Sequence, residues 1–307
     1  MNSIGWISSS AELNGVGMVL IILLGIPHGA LDNEIAKRAN GYSAFRFYMT
    51  YLAVMALFLC AWLIWPAASL VLFLFSSAYH FGQSQFSDLD KISSSVKAVL
   101  YMSWGVLLLS CLVLFRWTEL EPLLLANSDT LALRAILSPN LLLPITGISA
   151  VLLLFVLSHL LVRKELKVAR LAKELLILGL LVYAFYIFPL VLAFALYFCI
   201  LHSLRVLDEE YRLLSLQGVF SSIKDFIRCL APLTLISYIG LALLFWAHTA
   251  EVLPMSDLKM VFIMTSLITL PHCFVMEFFY SLRSSDKAST SQTTMSSKMT
   301  SSEQAAS

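Results

Sequence analysis

Apolar residues in this chain come in long unbroken runs, without the two-residue alternation of barrel strands. Nine such segments stand out, at about 15–35, 44–65, 67–86, 96–115, 141–162, 171–188, 189–207, 229–249 and 258–281. Each reaches or approaches the ~20 residues that carry a helix across a hydrocarbon core roughly 30 Å thick. Backbone inside lipid must satisfy its own hydrogen bonds, so a spanning segment is a helix or part of a closed barrel. Continuous apolar runs select the helix. The pattern predicts an all-α fold, a polytopic membrane helix bundle of about nine transmembrane helices, occupying residues 1–281.

The polar stretches between runs set the connections. Trp65-Pro66 and Phe188-Pro189 predict very short turns, because proline cannot continue a helix across them without a kink. Residues 116–140 read as a longer loop with apolar positions of its own. Residues 208–228 mix Asp208, Glu209, Glu210, Arg212 and Lys224 with Leu213, Leu214, Val219 and Phe220, the pattern of an interfacial amphipathic helix. Residues 282–307 are rich in Ser and Thr with little to bury, which predicts a disordered tail. The first apolar run lacks a basic flank before it and a small-residue cleavage site after it, so it reads as a retained helix.

Composition agrees: 59% of residues are hydrophobic, only 13% are charged, and mean hydropathy is +0.85. A net charge of +1 argues against nucleic acid as a partner. Five scattered cysteines with no CxxC pair indicate neither a disulfide framework nor a thiolate metal site. The distribution of charge says more than its sum. If the nine spans alternate direction, seventeen of the twenty Lys and Arg fall on one side, leaving Arg116, Arg134 and Lys259 opposite. The positive-inside rule then places the N-terminus outside and the tail in the cytoplasm of a multi-pass inner (plasma) membrane protein.

This topology gives four histidines a common depth. His28 in GIPHGALD, His80 in SAYHFGQSQF, His202 in FCILHSLRV and His272 in TLPHCFVMEFF all fall toward the cytoplasmic half of the bilayer, each on a different span. Histidine inside a membrane is costly and faces a partner or a pathway, and neutral imidazole is the commonest metal ligand. Each alone is as readily a hydrogen-bond partner of a neighbouring helix. Four at one depth predict a single metal centre. His159 shares the depth but sits beside Arg163 and Lys164, while His248 lies on the opposite side. Pro27 and Pro271 directly precede two of the four and predict breaks of the kind tolerated beside cavities. Asp32, one turn after His28, is either a carboxylate that orients a ligand histidine or an interfacial cap near Lys37. Gln83 and Arg205 stand three residues after His80 and His202, with orienting or headgroup-facing roles open. An all-imidazole site suits iron, copper or zinc, and spacing does not choose among them.

The motifs GIPHGALD, YHFGQSQF and LHSLR, with the late LPH, resemble the bacterial and archaeal β-carotene 15,15′-dioxygenases of the Brp/Blh family. The similarity covers about residues 15–280, and GIPHGALD and HFG are its most specific pieces. The resemblance implies an integral membrane enzyme that uses Fe(II) and O2 to split the central double bond of β-carotene into two retinal, often for a microbial rhodopsin. It carries iron ligation and catalysis onto His28, His80, His202 and His272. Many relatives have acidic residues where this chain has Gln83 and Gln85, and a second histidine where it has Val206. Those departures leave a second reading, a non-catalytic membrane carrier or assembly factor for retinal or carotenoid. A polyene-binding channel wants apolar and aromatic walls, and Tyr79, Phe81, Phe86, Tyr197, Phe198, Phe274, Phe278 and Phe279 cluster around the histidines, though ordinary helix packing accounts for most of them.

Overall fold

A computed structural model describes the backbone of residues 3–305 apart from 90, 91 and 254, and side chains over 10–283 apart from those three positions and residue 40. The described residues form helices and turns without a strand. In chain order the helices are α1 (Ser3–Leu20), α2 (Asp32–Asn40), α3 (Ala44–Ile64), α4 (Pro66–Gln85), α5 (Ser94–Phe115), α6 (Trp117–Leu125), α7 (Leu131–Leu137), α8 (Pro139–Val162), α9 (Val168–Ile187), α10 (Leu190–Ala195), α11 (Leu204–Leu216), α12 (Ile223–Thr249) and α13 (Asp257–Ala305). Every predicted span coincides with a helix or a stack of helical segments. Seven stretches are long and apolar enough to cross a membrane by length and composition. The third and sixth predicted spans are α4 and α9, helices of the same length with more polar ends, and the seven do not include them.

The predicted turns fall where the prolines stand. α3 stops at Ile64 and Pro66 opens α4; α9 stops at Ile187 and α10 follows Pro189. The second turn is tied down by polar groups. Arg116 donates to the carbonyls of Phe185 (2.6 Å) and Tyr186, and the first free N–H groups of α10 donate to Glu119 Oε2 and Asn14 Oδ1, both at 2.9 Å. Those caps satisfy donors that a helix start leaves unpaired.

Two expectations differ from what is seen. The 116–140 loop folds as α6 and α7, whose Leu120, Leu124, Leu133 and Leu137 are buried against α3, α4 and α13. The acidic stretch after residue 207 is no separate interfacial helix: α11 continues directly from the segment before it, since nothing between 204 and 216 breaks a helix. α13 runs on as helix to Ala305.

Three apolar cores hold the bundle. One joins α4, α5, α8 and α9 around Trp104, Phe86 and Phe185. The second joins α2, α11 and α13 around Leu31, Val206 and Met276. The third joins α3, α4, α7 and α13 around Trp62, Leu70 and Leu267. α4 and α5 meet backbone to backbone: a Cβ at Gly82 would lie 2.0 Å from the Tyr101 carbonyl oxygen, and one at Gly105 would lie 1.8 Å from that of Ala78. Small residues permit such approach between membrane helices. α3 and α13 are linked by Trp62 Nε1 donating to Ser266 Oγ at 2.8 Å.

Candidate metal centre

Two of the four histidines sit where the α-helix is interrupted. Between α1 and α2 the chain passes through a π-helical turn, Ile21–Gly25, and a 3₁₀ turn, Ile26–Gly29, with Pro27 in its first turn and His28 following. His202 lies in a second π-helical segment, Leu196–Ser203, between α10 and α11. π-Turns insert extra residues into a helix and re-aim side chains, and they recur at functional sites. The two segments touch at a glycine: a Cβ at Gly25 would lie 2.6 Å from Phe198 Cε1. His80 comes from the last turns of α4, and His272 from α13, which runs on through Pro271.

The four rings meet. Centroids lie 4.6 Å apart for His28 and His272, 4.8 Å for His80 and His202, 5.2 Å for His80 and His272, and 5.4 Å for His28 and His202. Ligand-capable nitrogens of His28, His80 and His202 all lie within 4.8 Å of one another. All four residues are at most 7% exposed.

Hydrogen bonds fix which nitrogen three of the rings present. His272 Nδ1 is 2.9 Å from Asp32 Oδ1, so it carries the proton and donates to the carboxylate. Ser84 Oγ gives its own proton to the Phe81 carbonyl, so at 2.9 Å it accepts from His202 Nδ1. His28 Nδ1 donates to the Gly25 carbonyl. Each bond leaves Nε2 as the lone-pair nitrogen. Nε2 of His202 and His272, and both ring nitrogens of His80, are buried with no hydrogen-bond partner. A buried unsatisfied polar atom costs about 1–3 kcal/mol. Unpartnered nitrogens on three adjoining rings make sense as metal donors, with the His202 and His272 rings each held by an outer partner that sets the tautomer.

Asp32 therefore orients a histidine of the cluster, and that histidine is His272 rather than its sequence neighbour His28. Tyr51 Oη stands 3.3 Å from Asp32 Oδ2 and 3.5 Å from the Ile268 carbonyl, three residues before Pro271. The Gln83 amide donates to Glu277 Oε2 at 2.7 Å. Gln85 donates to the fully buried Glu174 at 2.6 Å, and Arg170 pairs with that carboxylate at 2.8 Å. Arg205 is drawn inward to Glu209 and Gln85. Neither remaining histidine joins the centre. His159 is exposed on α8, and His248 pairs with Asp257 at 2.8 Å. Val206 is buried between apolar neighbours one turn after His202.

A cavity of about 710 Å³ begins beside the centre. Gly29 and Asp32 form its inner end, and α3, α12 and α13 its walls. Of the aromatics singled out above, Phe81, Phe86, Tyr197 and Phe279 are packed into the cores, and none of the eight lines this cavity. Its aromatic wall is Phe47, Tyr48 and Tyr51 of α3, residues with no motif to mark them.

Residues 19–280 match the family model described as β-carotene 15,15′-dioxygenase. The chain belongs to that family. A curated relative, the β-carotene 15,15′-dioxygenase of uncultured marine bacterium 66A03, is 30% identical over 278 residues, which cover 87% of this chain and 94% of the relative. No solved structure matches it significantly. All four histidines and Asp32 lie inside the matched region.

Proposed function

We propose that this protein cleaves the central 15,15′ double bond of β-carotene with O2 to give two retinal, at an Fe(II) held by His28, His80, His202 and His272. The observation that carries the reading is the convergence of four buried imidazoles, three of them with ring nitrogens that have no hydrogen-bond partner, in a chain of this family, at the end of an apolar cavity. Iron would supply the one-electron chemistry that lets triplet O2 react with a closed-shell alkene, a step no side chain performs alone. The reaction balances simply. One carbon–carbon double bond breaks, and each of its two carbons gains one oxygen atom from O2 as an aldehyde.

The chain's own groups do the rest. Asp32, Ser84 and the Gly25 carbonyl hold three rings in one tautomer and one orientation. The apolar walls exclude water and hold the polyene with its reacting bond beside the metal ligands, so that approach is intramolecular. In the bilayer we place the N-terminus outside and the C-terminus in the cytoplasm, with α4 and α9 completing nine spans, on the strength of the basic-residue asymmetry. Retinal released there serves as a chromophore, with a microbial rhodopsin as its natural acceptor.

The test is expression in a bacterial host that makes β-carotene, with pigment and retinal followed by chromatography, and turnover by purified iron-loaded protein. Loss of β-carotene with equivalent retinal supports the reading. A longer and a shorter aldehyde instead of retinal would keep the oxygenase class and move the cleaved bond. Tight carotenoid or retinal binding without turnover at full iron occupancy would assign the protein as a carrier.

A further inference from the structure

We infer that the cavity between α3, α12 and α13 is the binding site for one half of the polyene, entered sideways from lipid between α3 and α12. This deepens the cleavage reading and rests on it for the identity of the ligand.

The cavity joins the centre directly. Its innermost lining residues are Gly29, which follows His28, and Asp32, which holds His272. Gly29 keeps that junction open: a Cβ there would lie 3.3 Å from His272 Nδ1 and 3.8 Å from Asp32 Oδ2. From this end the walls are almost wholly hydrocarbon and aromatic. Asp32, Ser237 and the two tyrosine hydroxyls are the polar side-chain groups, and Tyr51 turns its hydroxyl to Asp32. On α12 the lining runs from Leu233 to Leu244, roughly 16 Å along the axis at 1.5 Å per residue. A slot this long and this poor in polar groups suits an extended apolar rod with no hydrogen bonds to make. Its volume lies in the roughly 300–1,000 Å³ range of small-molecule sites.

The mouth faces the surface that lipid covers. Leu52 of α3 and Ile236 and Leu243 of α12 line the cavity, yet each is more than half exposed on the outer apolar surface of the bundle. α12 is held loosely there. Its most apolar stretch contains no buried residue, and its buried side chains are Phe226 and Thr234, toward its start. Tyr238 fastens it by donating to the Ile22 carbonyl at 2.8 Å. A substrate dissolved in the bilayer therefore meets the opening without passing through water.

Gly240 offers the decisive handle. It lines the cavity and a Cβ there would meet nothing within 4 Å, so a large side chain fits the fold while filling the slot. Gly147 on α8 is equally open and lies outside the cavity, which makes it the matched control. The experiment titrates β-carotene into the full chain in nanodiscs, following quenching of tryptophan fluorescence, with iron content and melting temperature measured alongside. Gly240→Phe and Ser237→Phe should weaken binding at least tenfold with iron content unchanged, and Gly147→Phe should bind as the parent does. In parallel, β-carotene should slow maleimide labelling of Gly240→Cys at least tenfold, a variant small enough to leave the fold alone. Undiminished binding in folded Phe variants, no protection at position 240, or no binding by the parent would overturn the assignment. Binding through this cavity with no retinal formed would keep the site and reject cleavage. Retinal formation at unchanged KM in Gly240→Phe would keep cleavage and reject the site.

Discussion

Removal of the Asp32 carboxylate tests the centre without touching a ligand atom. Asp32 is 1% exposed and its Oδ1 receives the Nδ1–H of His272 at 2.9 Å, while Oδ2 faces the Tyr51 hydroxyl at 3.3 Å. Partners of this kind hold the ring and raise the basicity of its other nitrogen, and losing one costs about 10–100-fold in metal affinity, or about 1.4–2.7 kcal/mol. Asp32→Asn keeps an oxygen acceptor at the same place and loses only the charge, so it belongs at the tenfold end. Asp32→Ala also strands the His272 N–H in a buried site, adding a destabilisation of about 1–3 kcal/mol that acts on the fold as well. Tyr51→Phe removes one longer hydrogen bond worth about 1 kcal/mol, roughly a fivefold loss at most. The three variants should therefore rank Ala, Asn, Phe in decreasing damage when Fe(II) affinity is read by competition with a chelator of known strength. Asp32→Ala protein that stays folded and binds iron within twofold of the parent would refute the claim that this carboxylate serves a metal ligand.

Alanine at His28, His80, His202 or His272 should each reduce bound iron below half and abolish retinal formation, whereas His159→Ala and His248→Ala should leave both intact; metal analysis of purified variants decides. Reporter fusions after Ala126 and after Arg170 should give periplasmic and cytoplasmic signals respectively, and matching signals would reject the nine-span orientation. Gln83→Glu should set a carboxylate against Glu277, which the Gln83 amide contacts at 2.7 Å, and lower stability by about 1 kcal/mol in a melting experiment.

Helical architecture and the histidine set were readable in the chain for the same reason. Lipid leaves helices as the only economical answer to long apolar runs, and against that background four imidazoles are conspicuous. What escaped was whatever local patterning does not encode. The π-turns at Ile21–Gly25 and Leu196–Ser203 leave no periodic trace, since the runs around them are apolar on every face. α4 misses the apolarity of its neighbours because its final turns hold His80, Gln83, Ser84 and Gln85, all buried. The partners of the two glutamines, Glu174 and Glu277, lie 89 and 194 residues away, so a motif read alone showed only missing acids where the fold shows paired amides. Aromatic residues near the histidines in sequence proved to be core, while the cavity drew its aromatics from α3, whose first turns look like any membrane helix.

Val206 poses the remaining question of the site, and its neighbour supplies a way to ask it. Residues 206 and 210 lie one turn apart on one face of α11, just after the π-helical segment that holds His202. Val206 is 1% exposed, and Glu210, one turn beyond it, is fully buried with neither carboxyl oxygen hydrogen-bonded. An unpaired buried carboxyl is expensive, so this face holds an acceptor without a donor. A histidine at 206 is placed to donate to it. Such a bond contributes about 1.5–3 kcal/mol, against roughly 1.5 kcal/mol for the buried valine side chain it displaces. Val206→His should then be neutral or stabilising by up to ~1.5 kcal/mol in thermal unfolding. The same change in a Glu210→Leu background should be destabilising, and the difference between the two measures the coupling. Equal destabilisation of both would mean that the Glu210 carboxyl does not face position 206, and that its burial answers to some other group on α2 or α13.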